Sequence, residues 1–435
     1  MIIEPPAEKI RVSKVGSLRG EITLPGDKSI SHRAVIIGAL AKGEVRISGL
    51  SSGEDSQRTI TAFKQMGVDI ARERDGGLRI QGKGLFALKE PAQVIDAGNS
   101  GTTMRLLTGL LSGQKFFSVL SGDTSLNQRP MKRVIEPLSM MGAQIWGREG
   151  GNFAPLAITG RNLKAIRYEL PVASAQVKSA VILAGLCAEG ITEVKEPSFT
   201  RDHTERMLAY FGIDLERERN TVKVQGGREW EGQEVIVPGD ISSAAFFIVA
   251  ATIIPHSEIT IRGAGINPAR TGFLEILRQM GASIEIANKR EVSGEPVADI
   301  VVRSSRLQGR EIRGEMIPKA IDEIPILAIA ATCAEGETVI RDANELRVKE
   351  TDRIKAIVSE LRRFGVSVEE YEDGFMIAGG ARLKGTRCLS YGDHRMAMSL
   401  IIAGLVSEGE TVVDGTECIR TSFPQFMETL KSIMN

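Results

Sequence analysis

The sequence predicts an α/β protein of two domains, each built from three βαβαββ repeats, and three observations carry that expectation. The chain is 435 residues long, more than one hydrophobic core ordinarily holds. A small apolar helix that runs through Gly into a β-branched strand recurs six times, roughly every seventy to eighty residues. A Pro-Gly-Asp turn occurs twice, in EITLPGDKSIS from Glu21 and in EVIVPGDISSA from Glu234, and divides the six copies into three and three.

The apolar helices read SHRAVIIGALAKGEVRISG from Ser31, GTTMRLLTGLLSGQKFFSVLSG from Gly101 and SAQVKSAVILAGLCAEGITEV from Ser174. They return as SSAAFFIVAATIIPHSEITIRG from Ser242, DEIPILAIAATCAEGETVIRD from Asp322 and DHRMAMSLIIAGLVSEGETVVDG from Asp393. Rich in Ala and Gly and apolar nearly all round, they belong inside a layer rather than on a surface. Between them lie amphipathic helices that close on Gly and lead into a strand, from Arg58, Arg133, Thr204, Gly272 and Arg353. Gly after the last turn is the expected helix C-cap, and the alternation that follows suits a half-buried strand. A sixth such helix, FPQFMETLKSIMN from Phe423, ends the chain without its strand, while the residues before Glu21 are left over. The N-terminal residues are therefore expected to complete the C-terminal domain. That makes one domain of 1–23 plus 239–435 and an inserted one of 24–238, with the active site in the cleft between them.

The bulk numbers exclude several classes. Lys plus Arg and Asp plus Glu number 55 each, giving a formal net charge of zero, which argues against a general nucleic-acid or membrane surface. MIIEPPAEKIRV has no apolar signal-peptide core, and the longest apolar run, near Ala244 to Ile254, is too short to cross a bilayer. Cys187, Cys333, Cys388 and Cys418 are scattered and form no CxxC pair, which fits a cytoplasmic location. With four His and no HExxH or EF-hand pattern, neither a metal nor a cofactor is expected.

The chemistry concentrates at the helix starts. LPGDKSISHRA, Leu24 to Ala34, breaks a strand at Pro25-Gly26 and opens a helix with Lys28, Ser29 and Arg33. A helix N-terminus with cations one turn apart is a ready anion site, although it also reads as a capped helix with two solvated cations. DAGNSGTTMR, Asp96 to Arg105, sets small residues around Asn99, which lets backbone N–H groups approach a ligand. Ser174, Ala175, Gln176 and Lys178 open the third apolar helix, Asp322 and Glu323 the fifth, and Asp393, His394 and Arg395 the sixth. Two loops add Arg129, Lys132 and Arg133 in SLNQRPMKR, and Arg347, Lys349, Glu350, Asp352 and Arg353 in NELRVKETDRI. If the helices run in parallel, all of these starts converge.

LPGDKSISHRA, GNSGTTMR, NQRPMKR, ASAQVKSA, RVKETDR and YGDHRMAM, in this order over nearly the whole chain, resemble the enolpyruvyl transferase family on its EPSP synthase (3-phosphoshikimate 1-carboxyvinyltransferase) branch. The resemblance implies two inside-out α/β barrel lobes of three βαβαββ repeats, joined by two crossover hinges. It implies transfer of the enolpyruvyl group of phosphoenolpyruvate to the 5-hydroxyl of 3-phosphoshikimate with release of phosphate. That is a step towards chorismate and the aromatic amino acids, run by a cytoplasmic monomer that glyphosate inhibits. On the motif matches, 3-phosphoshikimate is held by Lys28, Ser29, Arg33, Ser174, Ala175, Gln176, Arg201, Asp322, Asn344 and Lys349. Phosphoenolpyruvate is held by Lys28, Asn99, Gly101, Arg129, Gln176, Glu350, Arg353 and Arg395. Asp322 resembles the residue that accepts the 5-hydroxyl proton and Glu350 the one that handles the methylene proton; Lys28 completes the catalytic set.

Two positions depart from the family pattern. Many members carry Ser-Ser-Gln where this chain has Ser174-Ala175-Gln176. Many also have a Lys before a C-terminal Thr-Phe-Pro, where this chain has Thr421-Ser422-Phe423-Pro424 beside Arg420. Two rivals are weighed. A UDP-N-acetylglucosamine 1-carboxyvinyltransferase normally carries a Cys or Asp in a mobile loop near Ser121–Arg129, where this chain has no Cys and Asp123 sits in GDTSL. A non-catalytic anion-binding repeat protein needs the cations but not Asp322 and Glu350.

Overall fold

The computed structural model describes residues 9–74 and 76–435; the start of the expected 1–23 segment, MIIEPPAE, therefore lies outside the described residues. The chain is mixed α/β, and its element order repeats. In the first sheet Lys42–Ser48 pairs antiparallel with Leu78–Lys83, which pairs antiparallel with Asp69–Arg72. Phe117–Ser121, Ile191–Lys195, Glu258–Gly265 and Glu337–Ile340 head four further sheets of the same antiparallel order. Each of the five has a fourth strand on the other side, parallel to the first.

The origin of that fourth strand changes at the two Pro-Gly turns. Ile95–Asp96 and Arg167–Glu169 come directly before the apolar helix of their own repeat, and Glu311–Ile312 precedes its own with the short helix Met316–Ala320 between. Arg19–Thr23, which precedes the first apolar helix, pairs instead with Glu258–Gly265. Glu234–Ile236, which precedes the fourth, pairs back with Lys42–Ser48. The sixth sheet has Glu410–Asp414 between parallel Arg387–Leu389 and antiparallel Lys9–Ser13. Two compact units result. One holds the residues up to Pro25 with Pro238–Glu291 and Pro296–Asn435; the other holds Gly26–Val237 and Val292–Glu295.

The six inner helices are Lys28–Leu40, Gly101–Ser112, Ala175–Leu186, Ile241–Ile253, Ile324–Thr332 and His394–Gly404. Their burial follows from having no polar face: Ile241–Ile253, for example, is buried from Ile241 to Thr252. Small residues allow the close packing this demands. A Cβ on Gly109 would stand 2.2 Å from the Ala180 carbonyl oxygen of the neighbouring inner helix, and one on Gly404 would stand 2.4 Å from Val12 Cγ2. The amphipathic helices, Glu54–Gln65 and its counterparts, bury one face only.

Three element readings need correction. The strand expected to run from Glu21 up to the Pro25-Gly26 break spans Arg19–Thr23. The last helix, read from Phe423, is Phe426–Lys431. Phe423 is instead fully buried, with its ring centroid 6.0 Å from Phe247 and 5.8 Å from Phe426. Burying such a ring contributes on the order of 1.5–3 kcal/mol, enough to override a marginal helical start. The fifth inner helix begins at Ile324, leaving Asp322 and Glu323 before its first turn. The four cysteines are free, and burial pushes the Cys187, Cys388 and Cys418 thiols up to about 12. Among the described residues no helix is long and apolar enough to cross a membrane.

Candidate active site

Within each unit the first turns of the three inner helices are tied together by polar side chains, and most of the expected site residues lie in or beside these ties. In the second unit Asp27 caps the first helix, its carboxylate accepting from the Ile30 N–H at 2.9 Å. The Lys28 ammonium stands 2.9 Å from Asp55 Oδ2 at the start of helix Glu54–Gln65. Arg33 is 4 % exposed. It donates to the Ser29 carbonyl (2.9 Å), to Thr204 Oγ1 (2.7 Å) and to Ser179 Oγ (2.8 Å) on the third inner helix. Burial pulls the Arg33 guanidinium down to about 10. Neighbouring Glu205 and Asp27 oppose that, while the charge of Arg201 reinforces it.

The second tie joins the second and third inner helices. Gln176, in the first turn after cap Ser174, accepts from Arg105 Nη1 at 2.5 Å and donates to Thr102 Oγ1 at 3.2 Å. Arg129 donates to Asn99 Oδ1 (2.6 Å), and Asn99 donates to Asp123 Oδ2 (2.7 Å). Gly101 faces both guanidinium groups: a Cβ there would stand 3.1 Å from Arg105 Nη1 and 3.4 Å from Arg129 Nη1. Behind this surface Lys178 is fully buried between Glu196 (2.8 Å) and Glu205 (2.7 Å). Thr200 donates to Glu196, which fastens the segment that carries Arg201. Burial raises the Glu196 carboxyl above the usual carboxylate range.

The first unit gathers its residues around two guanidinium groups. Arg353 opens helix Arg353–Arg363 and is 1 % exposed. Its Nε donates to Asp393 Oδ2 at 2.7 Å and its Nη2 to Glu350 Oε2 at 2.7 Å. Burial works against its charge, but Asp393, Glu350 and Asp322 outweigh burial and hold its proton more tightly than usual. Its Nη1 lies 3.6 Å from Asp322 Oδ1, too far for a hydrogen bond, and makes none among the described residues although it is buried. Arg395 donates to the Asp322 carbonyl (3.1 Å), with Nη2 at 3.9 Å from Asp322 Oδ2 and Nη1 at 3.6 Å from Glu323 Oε1. Lys349 Nζ is 3.8 Å from Asp322 Oδ1. Glu323 accepts from Ser242, and Ser242 from Arg270, so the fourth, fifth and sixth inner helices are joined at their starts.

Asp322, Lys349, Glu350, Arg353 and Arg395 therefore form one cluster, three cations around two carboxylates. Asn344 does not join it: it is exposed on the 3-10 helix Asn344–Val348, with no hydrogen bond to the group among the described residues. Ser29 takes part through its backbone carbonyl, and Ala175 is the first helical residue after cap Ser174. The Arg420 Nε is buried without a hydrogen-bond partner among the described residues. The expectation that a cation at a helix start calls for a bound anion holds differently from place to place. Lys28 and Arg395 already face protein carboxylates, whereas Arg33 is held by neutral oxygens. Sequence reasoning missed Asp55 as the partner of Lys28, Arg105 as the partner of Gln176, and Arg270. A usable signal existed for Arg270: Arg129, Arg201, Arg270 and Arg353 each stand at or just before an amphipathic helix.

Comparison with known proteins identifies the family. Residues 12–430 match the family model described as EPSP synthase (3-phosphoshikimate 1-carboxyvinyltransferase). The chain is 59% identical over 420 residues to the 3-phosphoshikimate 1-carboxyvinyltransferase of Geotalea uraniireducens, covering 96% of this chain and 97% of that one. It is 60% identical over 417 residues to that of Geobacter metallireducens, at the same coverage. Its structure superposes on an EPSP synthase from Acinetobacter baumannii with a TM-score of 0.87 at 46% identity, covering 98% of both chains. The chain belongs to the EPSP synthase family.

Proposed function

We propose that this chain transfers the enolpyruvyl group of phosphoenolpyruvate to the 5-hydroxyl of 3-phosphoshikimate, on the path to chorismate and the aromatic amino acids. The observation that carries the reading is the Arg353 centre. A buried guanidinium among three carboxylates keeps one nitrogen without a hydrogen bond among the described residues, in a chain whose family match is nearly full length. Such a nitrogen suits the carboxylate or phosphate of phosphoenolpyruvate.

The reaction is an addition followed by an elimination. A proton adds to the methylene carbon of phosphoenolpyruvate and makes its C2 electrophilic. The 5-hydroxyl oxygen of 3-phosphoshikimate bonds to C2 as its own proton leaves. The resulting ketal then gives back a methyl proton and expels phosphate. Glu350 serves the methylene proton and Asp322 the hydroxyl proton. Arg129, Arg353, Arg395, Gln176, Asn99, Gly101 and Lys28 hold phosphoenolpyruvate. Lys28, Ser29, Arg33, Ser174, Ala175, Gln176, Arg201, Lys349 and Asn344 hold 3-phosphoshikimate, with Asp322 at its 5-hydroxyl. Fixed cations of this kind stabilise charge that grows on the phosphate as it departs. Each unit is an inside-out α/β barrel lobe, a reading the burial of the inner helices supports. Glyphosate competes with phosphoenolpyruvate; full activity at saturating glyphosate contradicts this.

The test is phosphate release with both substrates together and with each alone. Release is expected only when both are present, and release from phosphoenolpyruvate without 3-phosphoshikimate contradicts the assignment.

A further inference from the structure

A buried chain of hydrogen bonds runs from the first inner helix to the turn that opens the second. His32 Nδ1 lies 2.7 Å from Thr59 Oγ1, Thr59 Oγ1 lies 2.8 Å from Thr103 Oγ1, and the Thr103 hydroxyl donates to Ser100 Oγ at 2.8 Å. All four side chains are fully buried. Ser100 is the cap of helix Gly101–Ser112, and its Oγ also accepts from the Thr103 N–H at 3.1 Å.

The direction of the chain follows from counting protons. Each hydroxyl carries one. Thr103 spends its own on Ser100, so it accepts from Thr59; Thr59 is thereby spent and accepts from His32. The His32 ring therefore carries its proton on Nδ1, and its bare Nε2, buried without a partner among the described residues, is not called on to donate. Burial, reinforced by Lys28 and Arg33 on the same helix, pushes the imidazole down to about 3, so the ring is neutral and the chain keeps one direction across the physiological range.

We propose that His32 is a positioning residue for phosphoenolpyruvate, acting through Thr59, Thr103 and Ser100 to fix the Asn99-Ser100-Gly101 turn. The turn is where the position matters: Asn99 accepts from Arg129 at 2.6 Å, and Gly101 leaves the space into which Arg105 and Arg129 fit. Three elements meet in the chain, the first inner helix, helix Glu54–Gln65 and the second inner helix. The turn is thus set by tertiary contacts as well as by its own cap. The inference rests on the assignment of phosphoenolpyruvate to this turn.

The experiment compares wild type with His32→Leu, which removes the donor, Thr59→Val, which breaks the chain in the middle, and His32→Asn, whose amide places an N–H where Nδ1 stood. KM for each substrate, kcat and Tm are measured for all four. His32→Leu and Thr59→Val are expected to raise the phosphoenolpyruvate KM by on the order of tenfold. The 3-phosphoshikimate KM should stay within about twofold, and His32→Asn should restore most of the loss. An unchanged phosphoenolpyruvate KM in both broken variants overturns the inference, as does an equal rise for both substrates. Failure of both to fold, or no rescue by His32→Asn, assigns the chain a structural role instead. A wild type that does not turn over the two substrates overturns the functional assignment, and this inference with it; an active wild type with insensitive variants overturns the inference alone.

Discussion

Gly101 shows how one missing atom sets the geometry of two cations. The Cβ of an alanine there would press on the ends of Arg105 and Arg129, at 3.1 and 3.4 Å, rather than on backbone. The fold can absorb that by moving flexible side chains, but the proposed function needs both guanidinium groups to keep their places. Gly101→Ala is therefore expected to raise the phosphoenolpyruvate KM about tenfold with little change in Tm or in the 3-phosphoshikimate KM; steady-state kinetics checks it. His32 makes a prediction in pH. Its folded value is depressed to about 3 against an ordinary 6.5 in the unfolded chain, so the unfolded state takes up the proton first. The stability this group protects is intact above about pH 6.5 and is lost as pH falls towards 3. Between pH 7 and 5 the wild type should lose about 2 kcal/mol more than His32→Asn, measured by denaturant unfolding at both pH values; parallel losses contradict it.

At the scale of elements, the third inner helix holds the second unit's polar starts together. Gln176 reaches the second helix, Ser179 the first, and Lys178 is sealed between Glu196 and Glu205. Lys178→Met leaves two carboxylates without their cation in a dry site and is expected to cost about 3–5 kcal/mol, read by urea unfolding. A loss below about 1 kcal/mol shows that the pair is not what fastens the segment bearing Arg201. The helices themselves were legible, because apolar composition all round, Gly at the end and Asp or Ser at the start are local signals that the structure answers at Asp27, Ser100, Ser174 and Asp393. Which charges pair was not. Asp55 and Lys28 are brought together by the fold, not by spacing. Phe423 was misread as helix because its partners Phe247 and Phe426 are long-range or follow a bend.

For the molecule as a whole, the sixfold repetition was readable from period alone, but the exchange of strands was only half readable. The sequence shows two Pro-Gly turns and a last repeat short of a strand. It does not say that Arg19–Thr23 and Glu234–Ile236 trade sheets, since a parallel pairing leaves no mark in the hydrophobic pattern of either strand. The motif residues became legible as a set only through their order along the chain; their side-chain geometry was not. Lys349, Arg353 and Arg395 suit an anionic ligand, but cations alone describe a receptor as well as an enzyme. The two carboxylates decide between them. The most direct measurement is kcat for Asp322→Asn and Glu350→Gln beside the dissociation constant of 3-phosphoshikimate for each. A fall in kcat on the order of a hundredfold or more, with binding kept within about tenfold, is the result expected of carboxylates that move protons. Turnover near the wild-type rate in both variants contradicts it.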